Sequence, residues 1–182
     1  MGVSVSAAQI HLLSCDEWAV FRDIRLRALA DAPAAFGSNL SEAQSRTEQQ
    51  WRDRLCQRTQ FVAVTGQGTV GTVAGAVDTD RNSVHLFSMW VDPCVRGTGI
   101  ADQLVQTVIG WAAAHGHTTV HLEVAVANSR AERLYARNGF TRTGRIGTIS
   151  PDDPRPEFEM SLTMSEVQGL VRERTWNMKP AP

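Results

Sequence analysis

Residues 91–101 read Val91-Asp92-Pro93-Cys94-Val95-Arg96-Gly97-Thr98-Gly99-Ile100-Ala101. They follow an apolar segment, residues 84–91, which predicts a buried strand. Pro93 has no N–H to donate and is predicted to end that strand. After the two glycines, apolar residues recur at helical spacing and predict an amphipathic helix. Glycine permits a sharp turn and a helix N-terminus offers unpaired N–H groups, so this junction predicts a phosphate-binding loop.

Three other interpretations of this loop must be considered. A nucleotide P-loop is excluded, because Ile100-Ala101 stands where that motif needs Lys and Ser or Thr. A dinucleotide fingerprint is disfavoured, because Asp102 occupies the place of its third small residue, although Glu123 falls where a ribose-binding acid could lie. A plain strand-to-helix turn that binds no ligand also fits two closely spaced glycines.

A longer motif resembles one known family, the GCN5-related N-acetyltransferases. Their acetyl-CoA loop has the pattern Arg/Gln-x-x-Gly-x-Gly/Ala, which is met by Arg96, Gly99 and Ala101. A second block follows in the family's order and spacing: Leu122-Glu123-Val124, Asn128, Ala131, Leu134-Tyr135 and Asn138-Gly139-Phe140. The two blocks cover about residues 84–145. Small-molecule and ribosomal-protein N-terminal acetyltransferases are the members that the chain resembles.

The resemblance implies acetyl-CoA as cosubstrate and no metal. The residues implied in cofactor binding are Met89, Trp90, Val91, Arg96, Gly97, Thr98, Gly99, Ile100, Ala101 and Asn128. The loop at Phe36, Gly37 and Ser38 is implied in binding the acceptor substrate. Arg96 is expected to place its charged side chain and its backbone amide near the pyrophosphate.

Acetyl transfer to an amine requires a base for the amine and an acid for the leaving thiolate. The resemblance implies Glu123 as base and Tyr135 as acid, and a half-buried Glu123 is expected to have a raised pKa. His85 and His121 fall on neighbouring predicted strands and could share the cleft, so His85 is the reserve base. Cys94 lacks a basic partner at a diagnostic spacing and is not expected to act as a nucleophile.

The fold class predicted is α/β (α+β): a central mixed, mostly antiparallel sheet of about seven strands with splayed central strands and about four helices. A capping box at Ser14 and Glu17 predicts a first helix that Pro33 ends, and a polar helix is predicted over residues 41–57. The predicted strands are residues 10–13, 61–64, 70–77, 84–91, 118–126, 140–146 and 157–163, and residues 128–138 form a short helix.

Composition narrows the partners. The 182 residues are 42% hydrophobic and carry a net charge of −1, which disfavours nucleic acid as a partner. The sequence has no apolar run of about 20 residues and no signal-like segment, so no membrane contact and a cytoplasmic location are expected. Cys15, Cys56 and Cys94 are odd in number and far apart, which predicts neither a disulfide nor a zinc cluster.

The domain prediction is an N-acetyltransferase domain over residues 1–163 and a C-terminal extension over 164–182, with homodimerisation through the last strands and that extension. The predicted reaction moves an acetyl group from acetyl-CoA to a primary amine of a small molecule, directly, in a ternary complex. A protein N-terminus as acceptor, or a non-catalytic CoA-binding sensor or interaction module, are the alternatives.

Overall fold

The computed structural model describes residues 8–150 and 153–164. Within these residues the strands are β1 (Gln9–Leu12), β2 (Thr59–Thr65), β3 (Gly68–Asp78), β4 (Ser83–Val91), β5 (Thr119–Ala125), β6 (Thr141–Ser150) and β7 (Asp153–Thr163). The α-helices are α1 (Trp18–Asp31), α2 (Leu40–Gln44), α3 (Glu48–Cys56), α4 (Ile100–Ala114) and α5 (Ser129–Arg137). Apart from Met164, the predicted C-terminal extension lies outside the described residues.

One mixed sheet of seven strands forms the centre of the described chain. Its order is β1-β2-β3-β4-β5-β7-β6, in which β4 and β5 are parallel and every other neighbouring pair is antiparallel. Strands β2, β3 and β4 form the predicted meander, because short turns join them, whereas the helices α1 to α3 lie between β1 and β2. The prediction of a mixed, mostly antiparallel sheet is confirmed.

The two central strands separate soon after they meet. The parallel ladder between β4 and β5 has two residue pairs, Val84 with Val120 and His85 with His121. Further along, β4 pairs with β3 through a register shift, and Ser88 within it has a positive φ of 54°. Such a bulge bends the strand that carries it. The predicted splay of the central strands is therefore confirmed, and it opens one edge of β4 beyond His85.

Apolar side chains alternate between the two faces of the sheet. In β2, Phe61 and Ala63 join the core beneath α4, whereas Val62 joins the core formed with α1 and α3. This follows from the period of two in a strand. Each buried large apolar side chain contributes about 1.5–3 kcal/mol to folding. Both faces are covered, which fixes the register of β2.

Helix α4 lies close against β3 because that strand has glycine at the contact. A Cβ atom on Gly71 would lie 3.0 Å from Cδ1 of Leu104, which is fully buried. Any larger residue would push the helix outward. The close contact holds the N-terminus of α4 beside the end of β4, where the glycine loop begins.

The single helix predicted over residues 41–57 is wrong. The structure ends α2 at Gln44 and begins α3 at Glu48. Thr47 and Gln50 form a capping box: the N–H of Gln50 donates to Thr47 Oγ1 and the N–H of Thr47 donates to Gln50 Oε1. This box satisfies two otherwise unpaired donors and starts a new helix.

The expectation of no disulfide is also wrong. Cys15 and Cys56 are joined by a disulfide, with Cα atoms 5.2 Å apart and 41 positions between them in sequence. The turn at Cys15–Glu17 lies against the end of α3, which brings the two thiols together. Cys94 is exposed and free. Disulfides are uncommon in cytosolic proteins, so this pair bears on the expected location, which stays a prediction.

None of the helices among the described residues has the length and hydropathy needed to cross a membrane.

Candidate functional site: a cleft between the separated strands

The loop before α4 has the backbone geometry that a phosphate site needs. Gly97 and Gly99 have φ values of 85° and 88°, in the left-handed region that glycine tolerates best. The N–H of Gln103 donates to the carbonyl of Gly99 and forms the first hydrogen bond of the helix. The N–H groups before it in the first turn have no acceptor within the helix. A helix N-terminus of this kind favours an anion.

Arg96 ties the glycine loop to α1, and its expected place near the pyrophosphate stays a prediction. Its Nε donates to the carbonyl of Val91 at 2.9 Å, and its Nη2 pairs with the carboxylate of Asp31. Asp31 also accepts from Trp90 Nε1 at 2.9 Å. The guanidinium of Arg96 thus ties the loop to the end of α1, and its charge is already paired.

A cleft of about 870 Å³ opens where β4 and β5 part. This volume lies in the range of small-molecule and cofactor sites. The predicted site residues that line it are Phe36, Gly37, Met89, Trp90, Val91, Arg96, Gly97, Ala101, Glu123, Asn128 and Tyr135. Ser38, Thr98, Gly99 and Ile100 are not part of its lining. Most residues of the sequence motifs, from both blocks, thus meet at one cavity.

Glu123 is held by a histidine. Nε2 of His85 lies 2.6 Å from Oε2 of Glu123, and both side chains are about one-third exposed, 36% and 32%. Burial raises the pKa of Glu123, but the hydrogen bond from His85 and the charges of His85 and His121 lower it more, so the net shift is downward. The expectation of a raised pKa is therefore wrong, because the sequence did not show how close His85 lies.

The ionised Glu123 also sets the tautomer of His85. A carboxylate can only accept hydrogen bonds, so Nε2 of His85 carries the proton of the 2.6 Å bond. In the neutral ring the lone pair is then on Nδ1. This arrangement, a carboxylate that orients an imidazole, is one that enzymes use to prepare a general base.

His121 lies behind this pair and does not line the cleft. Its ring stacks on that of His85 with centroids 5.0 Å apart, and its Nδ1 is 3.0 Å from Ser83 Oγ. Burial is the main cause of the lowered pKa of His121. The expectation that both histidines share the cleft therefore holds for His85 alone.

Three of these side chains could hold a metal ion. Among the described residues, ligand atoms of His85, His121 and Glu123 all lie within 4.8 Å of one another. Imidazole and carboxylate ligands suit several first-row transition metals. All three side chains already form hydrogen bonds within the protein. The expected absence of a metal remains a prediction.

Tyr135 lines the cleft and is mostly buried, with 6% of its surface exposed. Its ring packs edge-on against Phe140, with centroids 5.8 Å apart. Burial raises the pKa of its phenol, so the hydroxyl keeps its proton at neutral pH. A protonated hydroxyl at a cleft wall has the chemistry of a proton donor.

Asn128 caps the helix that carries Tyr135. Its side-chain oxygen accepts from the N–H of Ala131 at 3.1 Å, which makes Asn128 the N-cap of α5. The residue also lines the cleft. The cap fixes the start of α5 and with it the direction in which Tyr135 projects.

The cleft residues that sequence reasoning missed include two charged ones, Arg25 on α1 and Glu157 on β7. Burial and the nearby charge of Glu123 raise the pKa of Glu157. Neither residue belongs to a motif, and each enters the cleft only through long-range packing. Periodicity around Arg25 indicates a helix, but it does not indicate that this position faces a cavity.

A mixed sheet that parts around a cleft, with a glycine loop opening a helix at one end, is the fold of the N-acetyltransferase class. The sequence profile of the Acetyltransferase (GNAT) family matches residues 24–140. The chain therefore belongs to this family, and the resemblance drawn from its motifs is confirmed.

Relatives of the chain include two mammalian proteins. It is 40% identical over 94 residues to "Probable N-acetyltransferase family 8 member 5" of Mus musculus, covering 50% of this chain and 41% of that protein. It is 36% identical over 84 residues to "N-acetylaspartate synthetase" of Homo sapiens, covering 46% of this chain and 28% of that protein. The match thus spans less than half of the length of these relatives.

Solved structures share the fold. One is a putative acetyltransferase from Salmonella typhimurium with its cofactor acetyl-CoA, at a TM-score of 0.68 and 20% identity, covering 88% of this chain and 96% of that chain. Ribosomal-protein and spermidine N-acetyltransferases are also among the structures with this fold. At such identities the likeness establishes the fold alone.

Proposed function

We propose that this chain transfers an acetyl group from acetyl-CoA to the primary amine of a small molecule, directly, in a ternary complex. The observation that carries the proposal is the cleft itself. It joins the glycine loop, the free edge of β4, the His85–Glu123 pair and Tyr135 in one cavity. Family membership and the relatives' names support the same reaction class.

The residues present fit acetyl-CoA, which supplies the activated acetyl group. Backbone N–H groups of the loop and the first turn of α4 would hold its phosphates. Backbone groups of Met89 and Val91, beyond the point where β4 and β5 separate, would pair with the amides of its pantetheine arm. Asn128 lines the same cavity and would add a side-chain hydrogen bond.

The polar side chains of the cleft supply the acid and the base of the proposed reaction. Glu123 would take the proton of the acceptor amine, with His85 as the alternative base, since the two share one hydrogen bond. Tyr135 would protonate the leaving thiolate, because burial keeps its hydroxyl protonated. Phe36 and Gly37 line the acceptor side and would select the acceptor.

A protein N-terminus is the second candidate acceptor. It is supported by the resemblance of the Glu123 and Tyr135 arrangement to ribosomal-protein acetyltransferases. The human relative's name, an N-acetylaspartate synthetase, favours a small amine instead. A non-catalytic CoA-binding module is the third candidate, and the retained Glu123, Asn128 and Tyr135 disfavour it. The proposed assembly is a homodimer, which light scattering in solution would test.

Calorimetric titration with acetyl-CoA, followed by thiol-release assays on small amines and N-terminal peptides, tests the proposal. We expect saturable binding and turnover on small amines. Turnover on peptides alone would favour the second candidate. Binding with no turnover on either set would favour the non-catalytic module, and absence of binding would contradict the assignment of the phosphate loop.

A further inference from the structure

Arg25 is a partly buried cation in the wall of the cleft. Its Nη1 is buried and has no hydrogen-bond partner among the described residues. Its Nη2 lies 3.5 Å from Ser38 Oγ, at the outer limit of a hydrogen bond. The guanidinium sits 4.5 Å above the ring of Phe36. Ring and hydroxyl position the group, but neither neutralises its charge.

The positive charge of Arg25 is poorly compensated by the rest of the protein. In the described part of the chain, no carboxylate forms an ion pair with it. Burial, and then the positive charges of Arg58, Arg54 and Arg46, lower the pKa of Arg25 to about 10. Buried charges are rarely left without a partner, because desolvation is costly. The charge that would balance Arg25 is therefore absent from this part of the protein.

The opposite charge stands elsewhere in the same cavity. Glu123 and Glu157 both line the cleft, on β5 and β7. Glu157 pairs in register with Ala125, two residues beyond Glu123 on β5, and burial together with the charge of Glu123 raises the pKa of Glu157. The lining of the cleft thus holds two carboxylates as well as the cation of Arg25, which has no ion-pair partner among the described residues. A ligand with an ammonium group and a carboxylate matches both kinds of charge.

We propose that Arg25 binds a carboxylate of the acceptor, so that the substrates are amines that also carry a carboxylate, such as amino acids. This inference rests on the proposed acetyl transfer and names its substrate class. The guanidinium lines the cleft, forms no ion pair among the described residues and holds Ser38 only at 3.5 Å, so a carboxylate that enters the cleft can accept a charge-assisted hydrogen bond from it. The acceptor's amine is then directed to the wall that holds Glu123.

Matched acceptors test the proposal. Each amino acid is assayed beside its amide, which keeps the amine and the side chain but removes the negative charge. We expect the wild type to favour the acids over the amides by roughly 10- to 100-fold in kcat/KM. Arg25→Met should bring this ratio close to one, mainly through KM for the acids, and Arg25→Lys should restore part of it because it keeps the charge.

Arg22→Met is the matched control, since Arg22 is an exposed arginine on the same helix and does not line the cleft. Its ratio should equal that of the wild type. Thermal unfolding verifies that each variant folds. If Arg25→Met does not fold, Arg25→Lys still tests the proposal. A wild type that acetylates amides as well as acids, or an Arg25→Met ratio that stays at the wild-type value, overturns this inference but leaves acetyl transfer standing. Absence of turnover on both acids and amides overturns acetyl transfer to small amines and this inference with it.

Discussion

His85 and Glu123 form one hydrogen-bonded unit across the parallel strands β4 and β5, with Nε2 of His85 2.6 Å from Oε2 of Glu123. His85 is also the last residue of the parallel ladder before the strands part. The pair therefore lies at the start of the cleft, where the backbone pairing between β4 and β5 ends. It holds the two strands together at their last paired residues and contains both candidates for the proposed general base.

The first prediction separates the two members of this pair. The pKa of Glu123 is lowered from its ordinary 4.5, so its carboxylate is ionised at neutral pH and is lost as a base only when the pH falls below that value. Glu123→Gln should lower kcat about 100-fold, in the range of general-base catalysis. The measurement is kcat/KM against pH for the wild type, Glu123→Gln and His85→Gln.

A pH profile that keeps its wild-type form in Glu123→Gln but changes in His85→Gln would assign the base to His85. In that case Glu123 orients the imidazole. If both variants keep the wild-type rate and profile, neither residue is the base. Calorimetry with acetyl-CoA is the control that the cleft is intact.

The second prediction concerns Tyr135. Tyr135→Phe keeps the ring and its packing on Phe140 but removes the proton donor. We expect kcat to fall about 100-fold while the Kd for acetyl-CoA stays within a factor of two, because the loss is confined to the transition state. Single-turnover kinetics and calorimetry measure the two quantities. An equal loss in binding and in kcat would make Tyr135 a packing residue.

The third prediction compares two glycines at α4. Gly99 has a φ of 88°, and Ala there would impose about 1–2 kcal/mol of backbone strain. Gly99→Ala should therefore distort the loop and weaken acetyl-CoA binding at least tenfold. Calorimetric titration measures the change.

Gly110→Ala is the matched control, because Gly110 lies inside α4 and no atom stands within 4 Å of an added Cβ. This variant should gain about 0.5–1 kcal/mol of stability through helix propensity and bind acetyl-CoA normally. Wild-type binding by Gly99→Ala would show that the phosphates lie elsewhere.

The fourth prediction is a pH dependence of stability from Glu159. Its side chain is 7% exposed and accepts hydrogen bonds from Arg81 Nη1 at 2.6 Å and Thr143 Oγ1 at 2.8 Å. Burial raises the pKa of Glu159, but these bonds and the charge of Arg81 lower it more, to a net value below 4.5. A depressed pKa in the folded state stabilises the fold above the unfolded value, and this contribution is lost as the pH falls through the folded value.

The free energy of unfolding of Glu159→Gln should therefore be about 2 kcal/mol lower than that of the wild type at pH 7. The difference should shrink steadily below pH of about 4.5. Urea unfolding of both proteins between neutral and acid pH measures it. A difference that does not change with pH would mean that the glutamate contributes through packing and not through its charge.

Local pattern was enough for much of this fold. The strands β2 and β5, the helical stripe of α4 and the proline that ends β4 were predicted from sequence, because each depends on residues a few positions apart. The family's two motif blocks extended this to the cofactor loop and to Glu123, Asn128 and Tyr135. The interruption between α2 and α3 at Thr47 is also encoded by a local motif, the capping box, but the sequence analysis missed it.

The chemistry of the cleft was decided by tertiary structure. His85 and Glu123 are 38 positions apart in sequence, and only the parallel pairing of their strands brings them into contact and reverses the expected pKa shift. The same holds for the disulfide of Cys15 with Cys56 and for the unpaired guanidinium of Arg25. The reason is that charge, pKa and thiol pairing depend on distances between remote segments, whereas sequence periodicity reports only which face of its own helix or strand a residue occupies.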